Sequence, residues 1–251
     1  MAAVIQVPQG PSIPSTALRQ LCQRFRTARL SALQADPSAF SSSYEKECQF
    51  DDKTWAQRLQ NPLAKTFVAL AKSRNVPRAQ NSDKYHEDDN NSSSDGDDDL
   101  TQLANNEWVG MIVLLGPKAL AADGSDSSTP WEAFRSMGPC SKGPCSNADA
   151  SSFVGGEIAY FAASMFVLRD ARRQGIGRRL ITESTEAVSK EAVALGALRV
   201  NVCLLVEADN NAAISLYRNC GFEVLPGELD LEAFEEKQQE LVAMGKITEL
   251  G

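Results

Sequence analysis

Apolar residues recur every three or four positions in "TALRQLCQRFRTARLSALQ", which predicts a helix with Leu18, Leu21, Phe25, Ala28 and Ala32 on one face and Ser15 as N-cap. Asp36-Pro37 closes that helix, because proline cannot continue its hydrogen-bond ladder. A shorter helix is predicted from "DDKTWAQRLQ", with Asp51 or Asp52 capping and Trp55 and Leu59 sharing a face. The period then shortens: "KTFVALAKS" and "EWVGMIVLLG", the latter from Glu107 to Gly116, read as strands. "GEIAYFAASMFVL" is a longer apolar strand that ends just before "RDARRQGIG".

Helical spacing returns in "RRLITESTEAVSKEAVALG", where Leu180, Ile181, Ser184, Ala187, Val188, Ala194 and Leu195 form one stripe and Gly196 ends it. "ALRVNVCLLVE" is the near-continuous apolar run expected of a buried strand, and "NNAAISLYRNC" is a short helix stopped by Gly221. The C-terminal "LDLEAFEEKQQELVAM" has helical propensity, but "GFEVLPG" reads as strand and turn. Leu241 to Leu250 is therefore assigned as a strand that pairs back beside it as a hairpin.

Two stretches break the pattern and are expected to be polar, disordered insertions, at 77–104 and 117–152, within one domain spanning 12–251. The first holds "DKYHEDDNNSSSDGDDD", which carries −7 of the chain's net −8, so the remaining body is nearly neutral. The second contains Cys140 and Cys145 in "GPCSKGPC", a duplication read as a loop, with a redox-labile pair as the alternative. Cys22, Cys48, Cys203 and Cys220 lie in segments that read as structured, as small buried residues do.

The single histidine, His86, sits in the acidic tract, which disfavours serine–histidine hydrolysis and multi-histidine metal sites. No metal is expected. No apolar run approaches the roughly 20 residues of a membrane span, and the N-terminus is unlike a signal peptide. The expected location is cytoplasmic or nuclear, without membrane or nucleic-acid partners.

The stretch "RRQGIGRRLI", Arg172 to Ile181, joins a strand to a helix through two glycines ringed by arginines. A phosphate-binding loop of the Walker type needs Lys and then Ser or Thr after its glycines, and Gly177 is followed by Arg178 and Arg179. A dinucleotide fingerprint needs a third small residue where this chain has Leu180. What remains is a helix N-terminus whose amides and dipole suit a pyrophosphate, with a solvated basic loop as the bland alternative.

The second motif decides between them. Arg172, Gly175 and Gly177 match the Arg/Gln-x-x-Gly-x-Gly/Ala loop of the GNAT superfamily of acetyl-CoA-dependent N-acetyltransferases. "NNAAISLYRNCGF" matches its later Asn-x-x-Ala-x-x-x-Tyr and Gly-Phe through Asn210, Ala213, Tyr217, Gly221 and Phe222. The N-terminal "ALQADPSAFSSSYEKE" also resembles the segment after the first helix in many members. The resemblance implies an α/β fold with a mixed, mostly antiparallel central sheet flanked by helices, and acetyl-CoA as co-substrate with no metal.

It also implies roles. Main-chain groups around Phe166 and Val167 would hold the pantetheine arm. The amides of Arg173, Gln174, Gly175, Ile176, Gly177 and Arg178, entered through Arg172, would cradle the pyrophosphate. Asn210 would contact the cofactor, and Tyr217 would lie near the thioester sulfur.

The expected reaction is direct attack of a primary amine on the thioester. Backbone donors would face the developing oxyanion, and the Tyr217 hydroxyl would protonate the thiolate. Glu157 is the first candidate for the base and Glu107 the second. The acceptor, a small molecule or a peptide, is not written in any motif, and neither is the oligomeric state. Two other functions fit the residues: an acyl-CoA-binding module without catalysis, and an interaction protein acting through the acidic insertion.

Overall fold

The structure, a computed structural model, describes residues 2–10, 13–71, 95–120, 153–225 and 240–251. Seven strands form one sheet in the order β1-β2-β3-β4-β5-β7-β6: β1 Val4–Gln6, β2 Ala64–Leu70, β3 Trp108–Leu120, β4 Glu157–Val167, β5 Arg199–Glu207, β6 Glu223–Val224 and β7 Leu241–Glu249. Only β4 and β5 run parallel; every other pairing is antiparallel. The helices are α1 Ser15–Ala35, α2 Tyr44–Glu47, α3 Asp52–Leu59, α4 Asp95–Asn105, α5 Ile176–Ala194 and α6 Asn211–Asn219. This is the mixed, mostly antiparallel sheet with flanking helices expected from the sequence.

Side chains alternate across the sheet, and the alternation sorts the core into two layers. Val68, Met111 and Val113 point to the face covered by α1, α3 and α4, where Leu21, Phe25, Trp55, Leu59 and Leu103 meet them. Phe67, Ile112 and Leu114 point to the opposite face, against Leu180, Ile181 and Val188 of α5 and Ile214 and Tyr217 of α6. Asp51 caps α3 by accepting from the Thr54 N–H at 2.7 Å. The predicted strand Leu241–Leu250 is β7, which lies between β5 and β6 and pairs with both.

Several expectations are corrected. α1 begins at Ser15 with Pro14 in the capping position and no side-chain cap. Ala194 of the predicted stripe is exposed, and Ala192 is buried instead. β1 lies outside the predicted domain start at residue 12; three residues are too few to show a period, yet Ile5 and Val7 are buried under α1.

The stretch read as insertion through residue 104 includes α4, because Leu103 is fully buried and its carbonyl accepts from Trp108 Nε1 at 2.9 Å. The acidic composition hid that anchor. Likewise β3 runs on to Leu120, past the predicted break at 117. A register shift at Leu115–Lys118 absorbs Gly116, whose φ is +144° and where a Cβ would stand 2.8 Å from the Ala159 carbonyl oxygen. His86, Cys140, Cys145 and most of both insertions lie outside the described residues, as does the first half of "LDLEAFEEKQQELVAM".

Candidate active site

β4 creates the site by leaving its partner. It pairs with β5 from Glu157↔Arg199 to Phe161↔Cys203, after which the two strands separate while β5 stays paired with β7 to Glu207. The cause lies on the other edge of β4. Met111 opposes Phe166 and Val113 opposes Ala163, so Ser164 and Met165 together face Ile112, and Ser164 takes a left-handed φ of 52°. Two residues opposite one is a β-bulge, which bends its strand and increases local twist. The result is a wedge between the C-terminal ends of β4 and β5.

At that end the Leu168 N–H donates to Val109 O at 2.8 Å. Hydrogen-bonding direction alternates along an antiparallel ladder, so the Val167 N–H and C=O face away from β3, into the wedge. The Val167 carbonyl is met by Arg172 Nε at 2.8 Å. The Phe166 main chain is turned to β3 instead, and its ring lies edge-on to Phe40, with centroids 6.4 Å apart. Of the two predicted pantetheine-binding positions, only the Val167 N–H is offered to the wedge.

The glycine loop follows a 3₁₀ turn, Arg169–Ala171. Arg173 has φ 62° and Gly175 φ 77°, two left-handed residues that fold the chain back so that α5 starts at Ile176. Gly175 is the N-cap, where no side chain can supply the missing acceptor. The first helical bond is Arg179 N–H to Gly175 O at 3.1 Å. The amides of Arg173, Gln174, Gly175, Ile176, Gly177 and Arg178 have no hydrogen-bond partner among the described residues. Such a run of donors at a helix N-terminus suits an anion.

The two glycines do different work. Open space surrounds the missing Cβ of Gly175, so its conformation alone demands glycine there. Gly177 has an ordinary φ, but a Cβ would stand 3.0 Å from Leu216, 3.5 Å from Met165 and 3.7 Å from Val167. That bare spot is where β4, α5 and α6 converge.

The four arginines also divide. Arg172 is paired with Asp36, and Arg179 with Glu183 at 2.5 Å and with the Ala2 carbonyl. Arg173 and Arg178 make no ion pair among the described residues.

On α6, Tyr217 is 8% exposed and tilted against Phe222, with centroids 5.8 Å apart. Burial, with a smaller contribution from Cys220, raises its pKa above the usual tyrosine value. Asn210 caps α6, its side-chain oxygen accepting from the Ala213 N–H at 3.1 Å.

Glu157 is not brought to these groups. It opens β4, where Arg199 (3.3 Å) and Asn201 (3.3 Å) hold its carboxylate, about 30 Å of extended strand from Val167. Glu107 is exposed just before β3, across β4 from the wedge. The sequence reading missed Ser164, Met165 and Leu216, and it took Asp36 only as a helix stop. A serine in a long apolar strand was the one available sign of the bulge.

Residues 145–224 match the family described as an acetyltransferase (GNAT) domain. Among solved structures it is similar to Arabidopsis thaliana NAA60 in complex with acetyl-CoA, at 15% identity and TM-score 0.49 over 98% of each chain. It is also similar to an acetyltransferase of the GNAT family from Streptococcus pneumoniae, at 15% identity and TM-score 0.48 over 98% of this chain and 99% of that one. A third is the ribosomal-protein-S18-alanine N-acetyltransferase from Escherichia coli, at 14% identity and TM-score 0.43 over 100% and 96%. No curated protein matches the chain in sequence.

Proposed function

We propose that the chain is an N-acetyltransferase that moves an acetyl group from acetyl-CoA to a primary amine of a small molecule or peptide. The observation that carries this reading is the run of six unpartnered amides, Arg173 to Arg178, opening beside the β4–β5 wedge. The family match supports the same chemistry. The amides take the pyrophosphate, and the bare surface at Gly177, bounded by Met165, Val167 and Leu216, passes the pantetheine arm towards the wedge.

In this reading the Val167 N–H replaces a β5 partner with the pantetheine amide. The amine, as its free base, attacks the thioester carbon; the carbonyl oxygen gains charge facing main-chain donors of the bulged strand. As the C–S bond breaks, the Tyr217 hydroxyl donates its proton to the thiolate sulfur, and the proton that the attacking nitrogen sheds on becoming an amide returns to the tyrosinate through solvent. Burial keeps the hydroxyl protonated throughout the working pH range but also makes it a weaker acid, so the proton moves only as charge develops on the sulfur. Glu157 is set aside as base by its place on β4, and the amine loses its proton to solvent before attack.

The test is acetyl-CoA binding and thiol release with the wild type, Gly177→Glu and Tyr217→Phe. Gly177→Glu puts a carboxylate into the phosphate cradle and is expected to weaken binding by about 100-fold or more. Tyr217→Phe is expected to bind normally and lose about 10²–10³ in kcat. Unchanged binding by Gly177→Glu would refute the loop assignment, and full turnover by Tyr217→Phe would remove the tyrosine as acid. If the wild type binds acetyl-CoA and no amine in a broad panel releases thiol, the chain is a binding module.

The pH profile adds a readout. kcat/KM should rise tenfold per pH unit and level off at the acceptor's own pKa, near 8 for a peptide α-amine and near 10 for an alkylamine.

A further inference from the structure

The C-terminus of α1 carries a residue that local rules disfavour. Asp36 is the C-cap, so a carboxylate sits where the helix dipole is already negative. The conflict is resolved by two arginines from far along the chain. Arg169 donates to the Ala35 carbonyl and to Asp36 Oδ1 (3.2 Å), and Arg172 donates to Asp36 Oδ2. The Asp36 side chain is 29% exposed. Burial alone would raise its pKa, but the hydrogen bonds and charges of Arg172 and Arg169 outweigh it and hold the carboxyl below its usual value.

Both arginines lie in the turn that enters the glycine loop, and Arg172 also grips the Val167 carbonyl at 2.8 Å. The next residue, Arg173, occupies a left-handed conformation that a non-glycine residue holds only when its surroundings impose it. Gln174 adds a weaker tie, to the Asp170 carbonyl at 3.3 Å. Four residues past Asp36, Phe40 packs edge-on against Phe166. The end of α1 therefore meets the bulged end of β4 and its loop twice, once through charge and once through an aromatic pair.

We propose that Asp36 is a positioning residue for the donor site: its carboxylate, bridging Arg169 and Arg172, fixes the loop so that the amides of Arg173 to Arg178 converge on one pyrophosphate. The proposal rests on the acetyl-CoA reading given above. It assigns Arg172 a mechanical role, with its guanidinium turned to Asp36 and Val167 rather than spent on the phosphate. Preorganised donors bind an anion without first paying to order the loop, so loosening the latch appears in donor affinity. The chemical step, which belongs to Tyr217 and the bulge, is left alone.

The experiment measures acetyl-CoA Kd by calorimetry, KM and kcat by thiol release, and Tm, for Asp36→Asn, Asp36→Glu and Gly177→Glu. Asp36→Asn keeps the shape and removes the charge. It is expected to raise Kd and KM for acetyl-CoA about ten-fold with kcat within two-fold. Tm should stay within about 3 °C, since exposed ion pairs add little to global stability. Asp36→Glu, which restores the charge, should recover most of the affinity.

A Kd within two-fold of wild type for Asp36→Asn overturns the inference whatever the other variants do. So does a loss of affinity that Asp36→Glu fails to recover and that tracks a Tm drop above about 5 °C, which is the mark of a folding defect. Gly177→Glu separates the two levels. If it abolishes binding while Asp36→Asn does not change it, the donor reading stands and the latch falls; if it binds normally, the donor reading itself falls.

Discussion

Glu47 is 1% exposed at the end of α2, and two arginines enclose it: Arg29 through Nε (3.0 Å) and Nη2 (2.8 Å), Arg58 through Nη1 (2.9 Å). Burial would raise the Glu47 pKa, but the Arg29 hydrogen bonds and the charges of Arg29 and Arg58 overcome it and lower the value to about 2. A carboxyl with a depressed folded pKa contributes stability above its unfolded value, near 4.3, and loses it as pH falls towards 2. The shift corresponds to about 3 kcal/mol, so acid unfolding should steepen between pH 4.5 and 2, and Glu47→Gln should flatten that limb. At pH 7 the same variant leaves Arg29 buried without its partner and should cost about 3 kcal/mol in a urea titration. A Glu47→Gln protein with wild-type acid sensitivity would contradict this account. Arg29 also lies over the Phe40 ring at 4.6 Å, so the triad fixes the segment that leads from Asp36 to α2. None of this was legible beforehand: "YEKE" is four residues long, and its polar composition reads as surface.

At the scale of elements, what could be read and what could not follow a physical line. α1, α3, α5, β4 and β5 are long enough to repeat their period, and the sequence placed each of them within a few residues. β1 and α2 are too short to show one. α4 fails for a different reason, since its first turn is aspartate-rich and Leu100 and Leu103 are the residues that anchor it to the core. Acidic residues near a helix N-terminus favour the helix dipole, so the composition that suggested disorder also supports this helix once Leu103 anchors it. Leu103→Ala should therefore destabilise the whole domain by about 2–4 kcal/mol in chemical denaturation. It should leave acetyl-CoA affinity unchanged, because α4 lies across the sheet from the loop. A loss below about 0.5 kcal/mol would show that α4 is a peripheral attachment. The glycine loop was legible as a motif, but its division of labour was not. Gly175 answers to backbone conformation, Gly177 to the approach of Leu216, Arg172 to the distant Asp36, and Arg179 to Glu183 one turn on and to the distant Ala2 carbonyl.

Across the whole molecule, the sheet is one continuous surface whose middle opens. β3 and β4 stay paired on one side, β5 and β7 on the other, and the wedge between them is held apart by the bulge at Ser164–Met165 and backed by α5. A ligand bridging the Val167 N–H, the α5 amides and α6 would join two halves of the sheet that otherwise meet only over Glu157–Phe161. Binding to the folded state alone stabilises it by RT ln(1 + [L]/Kd), about 2.7 kcal/mol at one hundred times Kd. For a chain of 251 residues that should raise Tm by about 5–10 °C. The rise should grow with the logarithm of acetyl-CoA concentration and vanish in Gly177→Glu. Hydrogen exchange locates the effect: protection should increase in the first turn of α5, at Val167 and along Leu204–Glu207, and stay constant at Glu157 and Arg199, where the strands are already paired. Protection confined to the loop, with β5 unmoved, would mean that the ligand sits on the helix terminus and never enters the wedge. The thioester would then have no path to Tyr217.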